Sequence, residues 1–235
     1  MRMNKLNKTI LFLHGALGTS QDMKDLMGLL LEKGYNTLSF DFPGHGLQSK
    51  WPDEFRIDLF ARELEKFITR NKLTDVAVFG HSMGGYVALY HKANYPESPV
   101  SKIITYGTKF NWSESAVSRE LPKLDPAHLI EKFPQYAQSL KEKHGERWKS
   151  LLLSTAHLMQ HLEKIDGLTR EDLSDVQIPV TFILGDQDKV VSSEETHLTA
   201  SWLHYGKVKT LTHSKHELER ANLKELGILI EEALD

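Results

Sequence analysis

Ser82 sits at the centre of Gly80-His81-Ser82-Met83-Gly84, a hydroxyl with a glycine two residues to either side. A serine hydroxyl becomes a nucleophile when a base takes its proton. An imidazole does this best when a carboxylate fixes its tautomer and stabilises the imidazolium. That chemistry needs a histidine and an aspartate brought in from elsewhere in the chain. Two later stretches carry the right types. Gly185-Asp186-Gln187-Asp188 offers two carboxylates, and His213-Ser214-Lys215-His216 offers two imidazoles. His157 and His161 lie four apart, a metal-ligand spacing on a helix. A zinc-protease pattern would have glutamate where Leu158 stands, so the pair is read as a polar helix face and no metal is expected. Gly15 and Gly18 are not a phosphate cradle, because the Gly-Lys-Ser/Thr that would complete one is missing.

The elements around Ser82 explain how it could be presented. Val76-Ala77-Val78-Phe79 is a β-branched and aromatic run, read as a buried parallel strand. The tight turn follows at once, and residues 86–93 read as a helix that is apolar on most sides and hence largely buried. A serine at the apex of strand, sharp turn and helix must sit on a strained backbone that projects its hydroxyl above the sheet. Gly80 and Gly84 let the strand and helix approach that turn closely. The N–H of Met83, at the helix start, points where an oxyanion would form.

Around this unit strands and helices alternate. Residues 10–13, 37–40, 102–106, 180–184 and 208–211 are compact apolar strands. Met23, Leu26, Met27 and Leu30 mark an amphipathic helix that Ser20 can cap and Gly34 can end. Ile57, Phe60, Ala61, Leu64, Phe67 and Ile68 mark another, and helices around residues 194–202 and 223–234 close the chain. The pattern predicts an α/β fold: a doubly wound, mostly parallel sheet of about six strands with right-handed crossovers. Ligands in such sheets bind at the carboxyl ends of the strands, which is where the aspartate and histidine stretches fall.

From about residue 108 to 177 no strand is visible. Residues 129–133 and 136–140 look like short helices punctuated by Pro126 and Pro134, and a longer one runs through Trp148, Leu151, Leu152, Leu158, Met159 and Leu162. Connections in α/β units usually run to about 2–6 residues. The segment is therefore expected to be a helical lid inserted after the fourth strand, residues 109–175, with the core formed by 1–108 and 176–235. Trp112, Trp148 and Met159, with Tyr136, could line an acyl pocket or could pack the lid onto the core.

A chain of 235 residues, 40% hydrophobic and 26% charged, can bury a sizeable core in one domain with an insertion. Its net charge of -3 comes without blocks of like charge, so neither nucleic acid nor an anionic membrane is expected as partner. Without cysteine there is no disulfide, thiol nucleophile or thiolate metal site. Residues 1–8 are basic but lack a following apolar run of signal length. The expectation is a cytoplasmic protein with a small-molecule substrate; oligomeric state is not legible.

Over nearly its whole length the sequence resembles the α/β-hydrolase family, in its lidded branch. The resemblance rests on His14-Gly15 after the first strand, Asp41-x-Pro43-Gly44-His45-Gly46, Gly80-x-Ser82-x-Gly84, Gly185-x-x-Asp188 and a late His216, in that order. It implies Ser82 as nucleophile, Asp188 as acid with Asp186 a turn residue, and His216 as base with His213 the alternative. It implies an oxyanion hole made by the N–H groups of Ala16 and Met83, with His14 holding the loop that presents Ala16. Two departures stand out. Only nine residues precede Ile10, too few for the usual opening hairpin, and Gln48 with Ser49 replaces the serine that often follows the Gly-His-Gly turn. The resemblance implies a cofactor-independent serine hydrolase that cleaves an ester-type bond of a small, partly apolar substrate through an acyl-enzyme. Thioester, amide and carbon–carbon hydrolysis stay open. So do a lyase, since residues 14–20 and 41–46 also resemble the menaquinone-pathway synthase of this fold, and a ligand receptor that keeps the triad without turnover.

Overall fold

The computed structural model describes residues 8–47, 50–164 and 167–235; the N-terminal residues 1–7 and the departure at Gln48 and Ser49 lie outside them. Six strands form one sheet: β1 (Thr9–Leu13), β2 (Asn36–Ser39), β3 (Val76–His81), β4 (Val100–Tyr106), β5 (Val180–Gly185) and β6 (Gly206–Leu211). Their order is β2-β1-β3-β4-β5-β6, and every neighbouring pair is parallel.

The apolar runs of β1 and β3 are continuous because both faces of the sheet are covered. Alternation sorts each run between two cores. Ile10, Phe12, Ala77 and Phe79 face one side, against α1 (Lys24–Glu32) and a C-terminal helix that carries Leu226, Ile230 and Leu234. Leu11, Leu13, Val76 and Val78 face the other, against α2 (Ile57–Arg70) and α3 (Met83–Asn94). The buried stripe of α2, Ile57, Phe60, Ala61, Leu64 and Ile68, follows the helical period read from the sequence.

Between β4 and β5 lie α4 (Glu114–Glu120), α5 (Pro126–Lys132), α6 (Pro134–His144), α7 (Trp148–Lys164) and α8 (Arg170–Ser174). Pro126 and Pro134 occupy the first turns of α5 and α6, where a missing N–H costs no intrahelical bond. Helix α7 has two faces. Leu151, Leu158 and Leu162 join the core on the α2–α3 side, whereas Trp148 and Leu152 pack with Leu124, Leu129 and Leu140 in a separate outer cluster. After β5, α9 (Ser193–Ala200) leads to β6, and α10 (Leu223–Leu234) closes the chain.

Two expectations are corrected, and two short helices add to what the sequence showed. Ser20 does not cap α1. A 3-10 turn over Ser20–Met23 intervenes, Thr19 precedes it with its N–H on the Asp22 carboxylate at 2.8 Å, and the Ser20 N–H goes to Asp41 Oδ1 at 2.6 Å. Helices α4 and α8 had no visible period, being seven and five residues long. Strand β6 starts at Gly206, ahead of the apolar residues, because it is an edge strand on which Lys207 and Lys209 face solvent. Among the described residues no helix is long and apolar enough to cross a membrane.

Candidate active site

β3 and α3 meet at Ser82 with no room to spare. A Cβ at Gly80 would lie 2.3 Å from the N of Gly85, and one at Gly84 would lie 2.4 Å from the carbonyl oxygen of Leu13 in β1. Ser82 itself has φ 49° and ψ -115°, a region that costs a non-glycine residue about 1–3 kcal/mol. The surroundings hold it there. Its N–H donates to the Tyr106 carbonyl at 2.8 Å, and its own carbonyl accepts the Tyr86 N–H at 3.3 Å and the Thr108 hydroxyl at 3.0 Å.

Two further loops converge on the serine from the ends of β5 and β6. His216 Nε2 lies 3.2 Å from Ser82 Oγ, and His216 Nδ1 lies 2.9 Å from Asp188 Oδ2. With Nδ1–H donated to the carboxylate, Nε2 is left as an acceptor facing the hydroxyl. The other carboxylate oxygen, Asp188 Oδ1, accepts the N–H groups of Val190 at 2.7 Å and Val191 at 2.9 Å. Burial pushes the Asp188 pKa up, but His216 and those two N–H groups outweigh it, and the carboxyl titrates below its ordinary value.

The competing residues fall elsewhere. Asp186 Oδ1 accepts the Ser214 N–H at 3.1 Å, and the N–H groups of Ser214 and His213 lower its pKa. It ties the β5 loop to the β6 loop, as does the Gln187 N–H on the Ser214 carbonyl at 2.9 Å. His213 is exposed at φ 51°. The loop it belongs to is fixed from within, because Ser214 Oγ accepts the Asn222 N–H at 2.9 Å and the Tyr106 hydroxyl donates to the Lys215 carbonyl.

Ala16 and Met83 flank Ser82 on the loop after β1 and at the first residue of α3. Among the described residues neither N–H has an acceptor. His14 holds the loop: its Nδ1–H donates to the Gly15 carbonyl at 2.8 Å and its Nε2 accepts the Phe42 N–H at 3.0 Å. Burial lowers its pKa to about 4, which keeps the ring neutral and able to do both. The insertion also reaches this loop. His144, at the end of α6, donates from Nε2 to the Leu17 carbonyl at 2.9 Å and accepts the Gly46 N–H at Nδ1 at 2.9 Å. Leu17 has φ 61°, so the carbonyl next to Ala16 is held in a conformation it would not choose alone.

A family model described as alpha/beta hydrolase fold matches residues 8–165, from β1 into the insertion. The chain belongs to the alpha/beta hydrolase fold family. A serine hydrolase-like protein of Danio rerio is 33% identical over 104 residues, 43% of this chain and 32% of that protein. The first relatives are matched over about a third of their own length, 32%, 32% and 30%. A monoacylglycerol lipase of Bos taurus is 24% identical over 89% of this chain and 70% of its own. The solved structure of an esterase from Exiguobacterium antarcticum superposes with a TM-score of 0.80 at 20% identity, covering 97% of this chain and 92% of that one.

In this hydrolase-fold chain the insertion covers Ser82 and leaves a narrow pocket of about 40 Å³. Ile57, Tyr86, Trp112, Leu158, Met159 and Leu162 form apolar walls, and Ser82, Ala16 and Met83 form one end. Trp112 and Met159 thus stand where a substrate-lining role was expected of them. Trp148 does not: it is buried in the outer cluster of the insertion, because α7 turns that side away from the sheet. Tyr136 is half exposed on α6 and lines no part of the pocket.

Two contributors were missed. His81 Nε2 lies 2.9 Å from the His216 carbonyl, so the residue before the serine anchors the backbone of the histidine facing it. Burial, then the nearby His216, lowers the His81 pKa to about 4, which leaves a neutral ring that donates. Its position inside the Gly-x-Ser-x-Gly turn was the available signal. His144 had no signal, since nothing in its helix marks what its ring would reach.

Proposed function

We propose that the chain is a serine hydrolase that cleaves carboxylic esters with a short, mainly apolar acyl group. The observation that carries this reading is the unbroken hydrogen-bonded chain Ser82–His216–Asp188 at the end of a narrow apolar pocket, beside two N–H groups without acceptors. Ser82 Oγ attacks the ester carbonyl while His216 Nε2 takes its proton. Asp188 keeps the His216 tautomer and stabilises the imidazolium. The oxyanion accepts from Ala16 and Met83, whose N–H groups need no rearrangement to receive it. His216 returns the proton to the leaving alcohol, and water then releases the acid from Ser82 by the same steps. The covering insertion acts as a lid that excludes water and limits acyl length.

The test is a p-nitrophenyl ester series of increasing acyl length, beside thioester and amide panels. Short esters should be turned over fastest, with a burst of p-nitrophenol as the acyl-enzyme accumulates. Ser82→Ala should lose about 10⁴–10⁶ in kcat. A folded Ser82→Ala protein that keeps most of its activity overturns the proposal.

A further inference from the structure

One wall of the pocket departs from the rest. Lys109, two residues past Gly107, which follows β4, lines it and is only 9% exposed. An ammonium has three donors, and lysine is almost never buried this far without a partner. Here its hydrogen bonding is thin. Lys109 Nζ makes one long bond, 3.4 Å to the Val190 carbonyl, and Glu195 Oε2 stands at 4.0 Å. Glu195 is already engaged, because its other oxygen accepts the N–H groups of Phe110 and Asn111. Trp112 repeats the pattern on the same wall: its indole N–H is buried and has no acceptor among the described residues. Both under-used groups are donors. A neutral alkyl chain filling the pocket would leave both of them so, at the desolvation cost of buried polar groups. An anionic oxygen would accept from both.

The outer side of Lys109 agrees. The same residue lines a surface groove of about 660 Å³ together with Arg119, Lys123 and Lys189. Three carboxylates line it too, Glu120 paired with Lys123 at 2.8 Å, Glu195 on backbone N–H groups and Asp188 on His216, so four cations against three anions leave a formal balance of +1. That small positive excess does not oppose an approaching anion.

We propose that Lys109, with the Trp112 indole N–H, binds a carboxylate carried by the substrate, so that the preferred esters are half-esters of small dicarboxylic acids rather than simple alkyl esters. This rests on the proposed serine-hydrolase reading and names the substrate class of that site.

The test uses two p-nitrophenyl esters of equal acyl length, one of pentanoic acid and one the half-ester of glutaric acid. The readout is the ratio of their kcat/KM values in the wild-type protein, in Lys109→Met and in Lys109→Arg. The wild type should favour the half-ester, and Lys109→Met should lower the anionic-to-neutral ratio by about 10–100-fold, the worth of a charge-assisted hydrogen bond in a dry site. Lys109→Arg should restore part of it. A ratio unchanged in a folded Lys109→Met protein overturns the proposal. Calorimetry on Ser82→Ala protein gives a second reading that needs neither turnover nor a Lys109 variant. Monomethyl glutarate should bind more tightly than methyl pentanoate, and equal or weaker binding overturns the proposal. Failure of the hydrolase reading looks different: neither ester is turned over and Ser82 resists a fluorophosphonate, while the calorimetry still reports whether the pocket prefers the anion.

Discussion

Replacing His144 by phenylalanine should damage turnover from a position outside the three-residue chain. The ring bridges the part-buried Leu17 carbonyl and the buried Gly46 N–H. Phenylalanine fills the space and strands both groups, at about 1–3 kcal/mol each, so about 2–6 kcal/mol if neither loop moves. The loop after β1 has a cheaper response. Leu17 at φ 61° stores about 1–3 kcal/mol that is released if the loop relaxes there, and such a relaxation would shift the Ala16 N–H two peptide planes upstream. Complete loss of one oxyanion donor costs about 10²–10³ in kcat, so a displaced one should cost about 10–100-fold. The defect should fall on kcat and spare KM for a short p-nitrophenyl ester, since the apolar walls are untouched. Glutamine can offer one donor and one acceptor, and His144→Gln should recover part of the loss. If folded His144→Phe keeps kcat within a factor of about two of wild type, the link from the insertion to the oxyanion site is wrong.

Other outcomes follow from the same contacts. His216→Ala and Asp188→Asn should lose several orders of magnitude in kcat, whereas exposed His213→Ala should be mild; a folded His213→Ala protein more damaged than His216→Ala would reverse the assignment. Asp186→Asn keeps an oxygen for the Ser214 N–H and should likewise be mild in kcat, with a loss comparable to Asp188→Asn counting against it. Stability should fall in mild acid. His14 and His81 are held at about 4 against an ordinary 6.5, so the unfolded chain binds protons the folded one refuses. Their contribution is complete above 6.5 and is lost as pH falls towards 4, at about 1.4 kcal/mol per pH unit for each ring. Denaturant titrations across that window should show it, and a flat profile would contradict the buried neutral rings. Amide exchange should be faster across α4 to α6 than across β1, β3 and β4, because their outer cluster is small, and it should slow when a phosphonate occupies Ser82. Equal protection in both regions would rule out a separately opening lid.

How far the sequence could be read depended on what each residue type reveals. The central strands were plain because burial on both faces leaves runs such as Ile10-Leu11-Phe12-Leu13 without a polar interruption. Edge strand β6 was read only from residue 208 on, since Gly206 and Lys207 ahead of it look like loop. Ser82, Asp188 and His216 were legible because each falls directly after a strand, where a parallel sheet gathers its loops. Direction within the insertion was not. Trp112 and Trp148 are alike as letters, yet Trp112, between β4 and α4, lines the pocket, whereas Trp148, at the start of α7, packs in the outer cluster. Lys109 was passed over for a similar reason: a lone lysine after a strand reads as solvent-exposed, and only three-dimensional crowding buries it.

The bond between Ser82 and His216 joins residues 134 apart, and the His81 anchor spans 135. During synthesis the nucleophile turn emerges with β1 to β3 already available to pair, while its base is still to be made. β5 and β6 must add to the growing sheet edge before His216 can swing over the serine. Contacts this remote form late and slowly. A nascent or truncated chain ending before residue 216 would therefore carry a strained serine without a base, and would be silent towards esters. Recovery of turnover during refolding then becomes a clock for the last step of assembly, lagging any signal from the early strands.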